Sequence, residues 1–147
     1  MPRGDPFTAL CRQSARLARP VVADLHLHTT ASDGEFTPSQ VVAFARRARL
    51  DAIAVTDHDT FAGVNAAIEA ADGVRVIPGV ELTADWHGRE VHVLGYFPGG
   101  LPRDSGQRGI ESRLADLCHL RRERFRDFVR LIREAGHPLD DGLVAAV

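Results

Sequence analysis

Two short apolar runs in this chain each break off abruptly into a cluster of polar, chemistry-bearing side chains. The first is Pro20-Val21-Val22-Ala23-Asp24-Leu25-His26-Leu27-His28; the second, Asp51 to Thr56, runs straight into Asp57-His58-Asp59. Between them, Thr37-Pro38-Ser39-Gln40 is a helix start: Thr37 can cap, Pro38 suits the first helical position and Gln40 completes a capping box. Strand, helix and strand at this spacing imply parallel βαβ units. In such folds the chemistry sits at the carboxyl ends of the strands, where the polar clusters fall.

The rest of the chain extends the pattern. The first helix is expected to run to about Leu50, with Val41, Val42, Phe44, Ala45 and Ala48 as its apolar face. A second helix is expected from Thr60 to Ala71 and a third strand from Val74 to Ile77. Val80 to Trp86 and Arg89 to Tyr96 read as two further strands joined by a tight turn at His87-Gly88. Phe97 to Gly106 is a loop. A long helix from about Ile110 to Ala135 then carries an apolar stripe of Ile110, Leu114, Leu117, Cys118, Phe125, Phe128, Val129 and Ile132, stopped by Gly136-His137-Pro138.

Composition limits the function classes. Of 147 residues, 44% are hydrophobic and 26% charged, which suits a folded domain with a core. A net charge of -2 gives no field to draw the chain to nucleic acid or lipid, and no apolar run approaches the ~18 residues of a membrane span. Arg121, Arg122, Arg124, Arg126, Arg130 and Arg133 are interleaved with Glu123, Asp127 and Glu134, so they read as a solvated, ion-paired helix face. Cys11 and Cys118 form neither a disulfide framework nor a CxxC pair. Residues 1–19 are arginine-rich but lack the apolar core of a secretory signal; they read as a short extension, and the protein as cytoplasmic.

His26 and His28, two apart on a strand, project from one face while Leu25 and Leu27 take the other. Two imidazoles on one side suit a borderline metal ion, although an HxH pair alone is weak evidence. Asp33 in a Ser-Asp-Gly turn, His58 between two carboxylates, Glu81 between Val80 and Leu82, and His92 between Val91 and Val93 are its company. Each has a plain structural alternative: a turn cap for Asp33, a surface ion cluster for His58, a core histidine with one hydrogen bond for His92. Glu81 is harder to dismiss, because an unpaired carboxylate is costly to bury.

The segments DLHLHTTASDGEFTP, AVTDHDT and IPGVELTADWHGREVHVLGY resemble the N-terminal half of the PHP (polymerase and histidinol phosphatase) family. They are most similar to its stand-alone bacterial phosphoesterases, the branch of RNase AM and the nucleoside 3′,5′-bisphosphate phosphatases. The resemblance covers about Val21 to Tyr96 and implies an α/β fold, the N-terminal portion of a distorted (β/α)7 barrel. It also implies a cluster of up to three divalent ions, manganese foremost with iron or zinc as alternatives. By resemblance His26, His28, Asp33, His58, Glu81 and His92 fall on ligand positions, with Glu81 bridging two ions. Asp57 and Asp59 are candidates to orient a neighbouring imidazole, with a salt bridge as the equal alternative.

The implied activity is hydrolysis of phosphate esters of nucleotides or short RNA ends by a metal-activated water. The alternatives are a histidinol-phosphate-type or other small-metabolite phosphatase, and a degenerate metal-binding domain without turnover. The family draws a further His and an Asp-x-His pair from its C-terminal half. After His92 this chain offers only His119, on a solvated face, and His137, at a helix stop. The expected organisation is an extension at 1–19, the N-terminal half of the domain at 20–104 and a truncated helical insertion at 105–147. The expected partner is a phosphorylated small molecule or short RNA, with self-association of the half-barrel through its open edge.

Overall fold

The computed structural model describes residues 19–101 and 105–145, leaving aside the side chains of residues 105–108 and 143. Of the regions read above, the extension up to residue 18, residues 102–104 of the loop and residues 146–147 of the tail lie outside the described residues. The elements are β1 (Ala23–Leu27), α1 (Pro38–Arg47), β2 (Ala52–Val55), α2 (Val64–Glu69), β3 (Arg75–Trp86), β4 (Arg89–Tyr96), α3 (Ser105–Glu134) and α4 (Asp141–Ala145). The strands lie in the order β1-β2-β3-β4, the first three parallel and the last pair antiparallel. This is the partial α/β barrel wall expected from the sequence.

Strand β2 is buried at all four positions, which explains why its sequence is apolar on both faces. Its Ile53 and Val55 pack with Val41, Val42 and Ala45 of α1, Val64 and Ala67 of α2, and Val74. Helix α1 starts on the expected capping box: the Thr37 hydroxyl accepts the Gln40 N–H and the Gln40 side chain accepts the Thr37 N–H. It ends earlier than expected because Arg49 adopts a left-handed φ of 58°. Phe44 and Ala48 do not join the core. Phe44 is exposed and meets Phe36 edge-on, with ring centroids 4.8 Å apart, while Ala48 is the exposed C-cap.

Three further boundaries differ from expectation. Helix α2 begins at Val64 rather than Thr60, since the Thr60 hydroxyl accepts the Ala62 N–H at 3.1 Å and turns the chain first. Strand β3 runs unbroken through Pro78-Gly79, where two strands were expected, because it changes partner there. Its first residues pair with β2 up to Val55↔Pro78, and from Gly79 onward it pairs with β4. A Cβ at Gly79 would lie 2.8 Å from Thr56 Cγ2, so only glycine permits this close approach. Helix α3 starts at Ser105 instead of Ile110. Leu114 and Val129 of its stripe are buried, whereas Phe128 is exposed.

The hairpin turn matches expectation. His87 and Gly88 take φ values of 53° and 78°, the left-handed pair of a two-residue turn. Among the described residues no helix is long and apolar enough to cross a membrane.

Candidate metal centre

Parallel pairing places the end of β1 beside the end of β2, and an isolated parallel bridge, His58↔Glu81, carries the pattern across to β3. Antiparallel pairing sets His92 opposite Thr83, two residues from Glu81 and therefore on the same face. Strand order and register thus aim four imidazoles at one carboxylate. Glu81, 4% exposed, meets His26 Nε2 at 2.8 Å and His28 Nε2 at 2.9 Å through Oε2, and His92 Nδ1 at 2.8 Å through Oε1. His58 Nε2 stands 3.6 Å from Oε2.

Asp33 enters from the loop after β1. Its Oδ1 lies 3.0 Å from His28 Nδ1 and its Oδ2 lies 3.7 Å from His58 Nε2. The loop is held by Asp57, 1% exposed, whose carboxylate accepts the Thr29 N–H at 2.7 Å, the Thr29 hydroxyl at 2.8 Å and the Ser32 hydroxyl at 2.7 Å. Gly34 closes the loop against β1: a Cβ there would fall 2.5 Å from the His28 carbonyl. The Asp59 carboxylate accepts the Thr83 N–H and forms an ion pair with Arg121. Asp57 and Asp59 therefore orient backbone segments that carry site residues, and among the described contacts neither touches an imidazole.

All six residues singled out in the sequence come together in three overlapping groups of possible ligand atoms. These are His26/His28/Glu81, His28/Asp33/His58 and His58/Glu81/His92, with the atoms of each group within 4.8 Å of one another. His28, His58 and Glu81 each belong to two groups.

The electrostatics suit a cation. Burial pushes the His58 imidazole below its ordinary pKa, ahead of the opposing pull of Glu81 and Asp33, so it is neutral with a lone pair to give. Burial works against the Glu81 carboxylate, but hydrogen bonds and charge from His26, His58 and His92 outweigh it and hold Glu81 below its ordinary value. Among the described residues the buried Nδ1 of His58 finds no hydrogen-bond partner, and that of His28 meets only the Asp33 carboxylate, 3.0 Å away but out of line for a hydrogen bond. Orphaned nitrogens beside an ionised carboxylate, in a mixed imidazole and carboxylate set, fit a borderline divalent transition ion better than calcium.

His119 and His137 are exposed, as expected, and His87 sits exposed at the hairpin tip. One residue escaped sequence reasoning. Arg121 was read as part of a solvated face, which holds for the exposed pairs Arg126–Glu123, Arg130–Asp127 and Arg130–Glu134. Arg121 instead turns inward, 2.6 Å from Asp59 Oδ2, and hydrogen-bonds the Thr83 hydroxyl. The available signal was its spacing: Leu114, Cys118, Arg121 and Phe125 share one helical stripe.

Comparison with known proteins agrees with this geometry. The family profile of the PHP domain matches residues 24–137. The chain is 44% identical over 79 residues to the 5′-3′ exoribonuclease Rnm of Salmonella typhimurium, covering 51% of this chain and 27% of that protein. It is 32% identical over 115 residues to a 3′,5′-nucleoside bisphosphate phosphatase of Chromobacterium violaceum, covering 77% of this chain and 39% of that one. A solved amidohydrolase from Chromobacterium violaceum with bound sulfate superposes with a TM-score of 0.68 at 32% identity, over 78% of this chain and 39% of that one. The chain thus spans well under half the length of these relatives. With the profile matched over most of its length and the six residues, Glu81 among them, drawn together in three overlapping groups, the chain belongs to the PHP domain family.

Proposed function

We propose that the chain supplies the N-terminal part of the metal centre of a phosphoesterase that hydrolyses phosphate esters of nucleotides or short RNA ends. The observation that carries the proposal is the convergence of His26, His28, His58 and His92 on the two oxygens of Glu81, with Asp33 closing the far side. His26, His28, Asp33, His58, Glu81 and His92 would hold divalent ions, manganese foremost with iron or zinc as alternatives. Such ions supply Lewis acidity toward phosphoryl oxygens and lower the pKa of water.

The chain's own residues do the rest. Glu81 presents one oxygen to the His26–His28 side and the other to His92, so a single buried carboxylate joins the two sides. His58 stays neutral through burial and keeps its lone pair available. Asp57 fixes the loop that carries Asp33. The substrate class rests on the relatives named above, and a cytoplasmic location belongs to the same proposal.

Self-association is also part of it. Strand β1 pairs on one side only among the described strands, and Val21 and Val22 before it and Leu25 within it are exposed. An open edge with apolar neighbours is a surface on which a second chain can pair.

The test is phosphate release with manganese from a panel of nucleoside 3′,5′-bisphosphates, 5′-phosphorylated short RNA and histidinol phosphate. Release from the first two that disappears in Glu81→Gln supports the proposal. Release from histidinol phosphate alone would reassign the substrate class, and metal binding with no release from any of them would mark a binding domain without turnover.

A further inference from the structure

We propose that Arg121 is a positioning residue of the metal centre, acting through Asp59 to clamp α3 onto the corner that carries His58. The inference rests on the metal-centre reading above.

Asp59 is 1% exposed, and its contacts run in three directions. Its N–H donates to the Glu81 carbonyl at 3.0 Å, its Oδ1 accepts the Thr83 N–H at 2.8 Å, and its Oδ2 faces Arg121 at 2.6 Å. Among the described residues Oδ2 accepts no well-aligned hydrogen bond, so the charge of Arg121 is what compensates it. The backbone N–H and the carboxylate of Asp59 together tie the residue after His58 to the Glu81 carbonyl and the Thr83 N–H, and Arg121 is the cation of that carboxylate. Asp59 also takes a left-handed φ of 51°, so the corner is held against local backbone preference.

Arg121 reaches Asp59 and the Thr83 hydroxyl together. Thr83 stands opposite His92, so the guanidinium abuts the face of the hairpin that presents Glu81 and His92. Apolar docking of α3 is thin by comparison: on a thirty-residue helix only Leu114 and Val129 are buried among the described side chains. Beside Arg121 a cleft of about 410 Å³, lined in part by Thr83, Asp85, Glu90, Leu120 and Arg124, separates the helix from the hairpin.

Burial decides which arginine matters. The Arg124–Glu90 pair leaves its side chains 69% and 41% exposed, and exposed pairs contribute little. The Asp59 side chain is 1% exposed, and a buried charge stripped of its partner is strongly destabilising.

The experiment compares the full 147-residue chain with Arg121→Met, Arg121→Lys, Asp59→Asn, the Arg121→Met/Asp59→Asn double variant and Arg126→Met. Two quantities are read: amide exchange at Thr83 without metal, and Mn²⁺ affinity by electron paramagnetic resonance. Arg121→Met should speed Thr83 exchange at least about tenfold and weaken Mn²⁺ about 10- to 100-fold, the range for residues that orient metal ligands. Arg121→Lys should recover part of both losses, and Arg126→Met should change neither. In the Asp59→Asn background, Arg121→Met should add less than about twofold, because the two residues act as one unit. If Arg121→Met fails to fold, the double variant, which buries no unpaired charge, and Arg121→Lys carry the comparison. Wild-type exchange and affinity in Arg121→Met, or additive effects in the double variant, overturn the inference. A wild-type chain that binds no Mn²⁺ overturns the metal-centre reading and this role together, whereas unchanged Thr83 exchange in an Mn²⁺-binding Arg121→Met chain overturns the inference alone.

Discussion

His26 Nε2 and His28 Nε2 lie 3.0 Å apart, and both point at the same oxygen of Glu81. Two imidazole nitrogens at that distance repel unless a proton or a cation lies between them. The relationship follows from an HxH pair on one face of a strand end, and it makes Glu81 the residue on which the site turns.

Glu81→Gln should therefore abolish most metal affinity while the fold survives, because glutamine keeps the volume and a carbonyl acceptor but removes the buried negative charge that faces four imidazoles. The loss should exceed the ~10–100-fold that residues behind metal ligands contribute. Calorimetric titration with Mn²⁺, alongside circular dichroism, measures it; an affinity within twofold of wild type would show that Glu81 is no ligand.

Asp57→Ala should act on stability first. It strands the N–H and hydroxyl of Thr29, both in a fully buried residue, at a cost of ~1–3 kcal/mol for each buried group left without a partner. Urea unfolding should shift to a lower midpoint, and amide exchange at Gly34, which bonds the Thr29 carbonyl, should quicken. An unchanged midpoint would contradict the role assigned to Asp57.

Gly34→Ala should displace the loop that carries Asp33. The added methyl meets backbone atoms of His28 and Thr29 at 2.5–2.6 Å, and backbone cannot swing aside as a side chain can. A cost of ~1–3 kcal/mol, typical of overpacking, is expected, with chemical-shift changes concentrated at residues 28–34. Shifts confined to Gly34 itself would mean that the loop is not braced against β1.

Acidification should weaken metal binding, since a protonated imidazole has no lone pair to give and protons compete with the metal for its ligands. His58, depressed by burial, and Glu81, held low mainly against burial by its histidine partners, are both in ligating form at neutral pH. The sign for the metal-free chain is the same. A His58 pKa below the unfolded value means that the unfolded state takes up the proton first, so stability falls as pH drops from about 6.5 toward the folded value. Mn²⁺ affinity and thermal midpoints at pH 5.5 and 7.5 test both; a midpoint that rises on acidification would reverse the sign.

Much of this was legible in the sequence, for reasons that are local. The capping box at Thr37 and Gln40, the left-handed turn at His87-Gly88 and the one-sided HxH pair each depend on neighbouring residues, and each appears as read. What was not legible depends on tertiary partners. Phe44 fits the helical period but finds Phe36 at the surface instead of the core. Pro78-Gly79 looks like a break, yet the close approach of Thr56 makes it a change of partner within one strand. Arg121 lies among paired surface arginines in sequence, and only the position of Asp59 shows that it faces inward.

The most direct measurement is anomalous diffraction from crystals of the chain grown with Mn²⁺. The expected result is anomalous density beside Glu81, flanked by His26 and His28 on one side and by His58 and His92 on the other. Density only at surface carboxylates, or none within bonding distance of Glu81, would contradict the metal centre and with it the phosphoesterase reading.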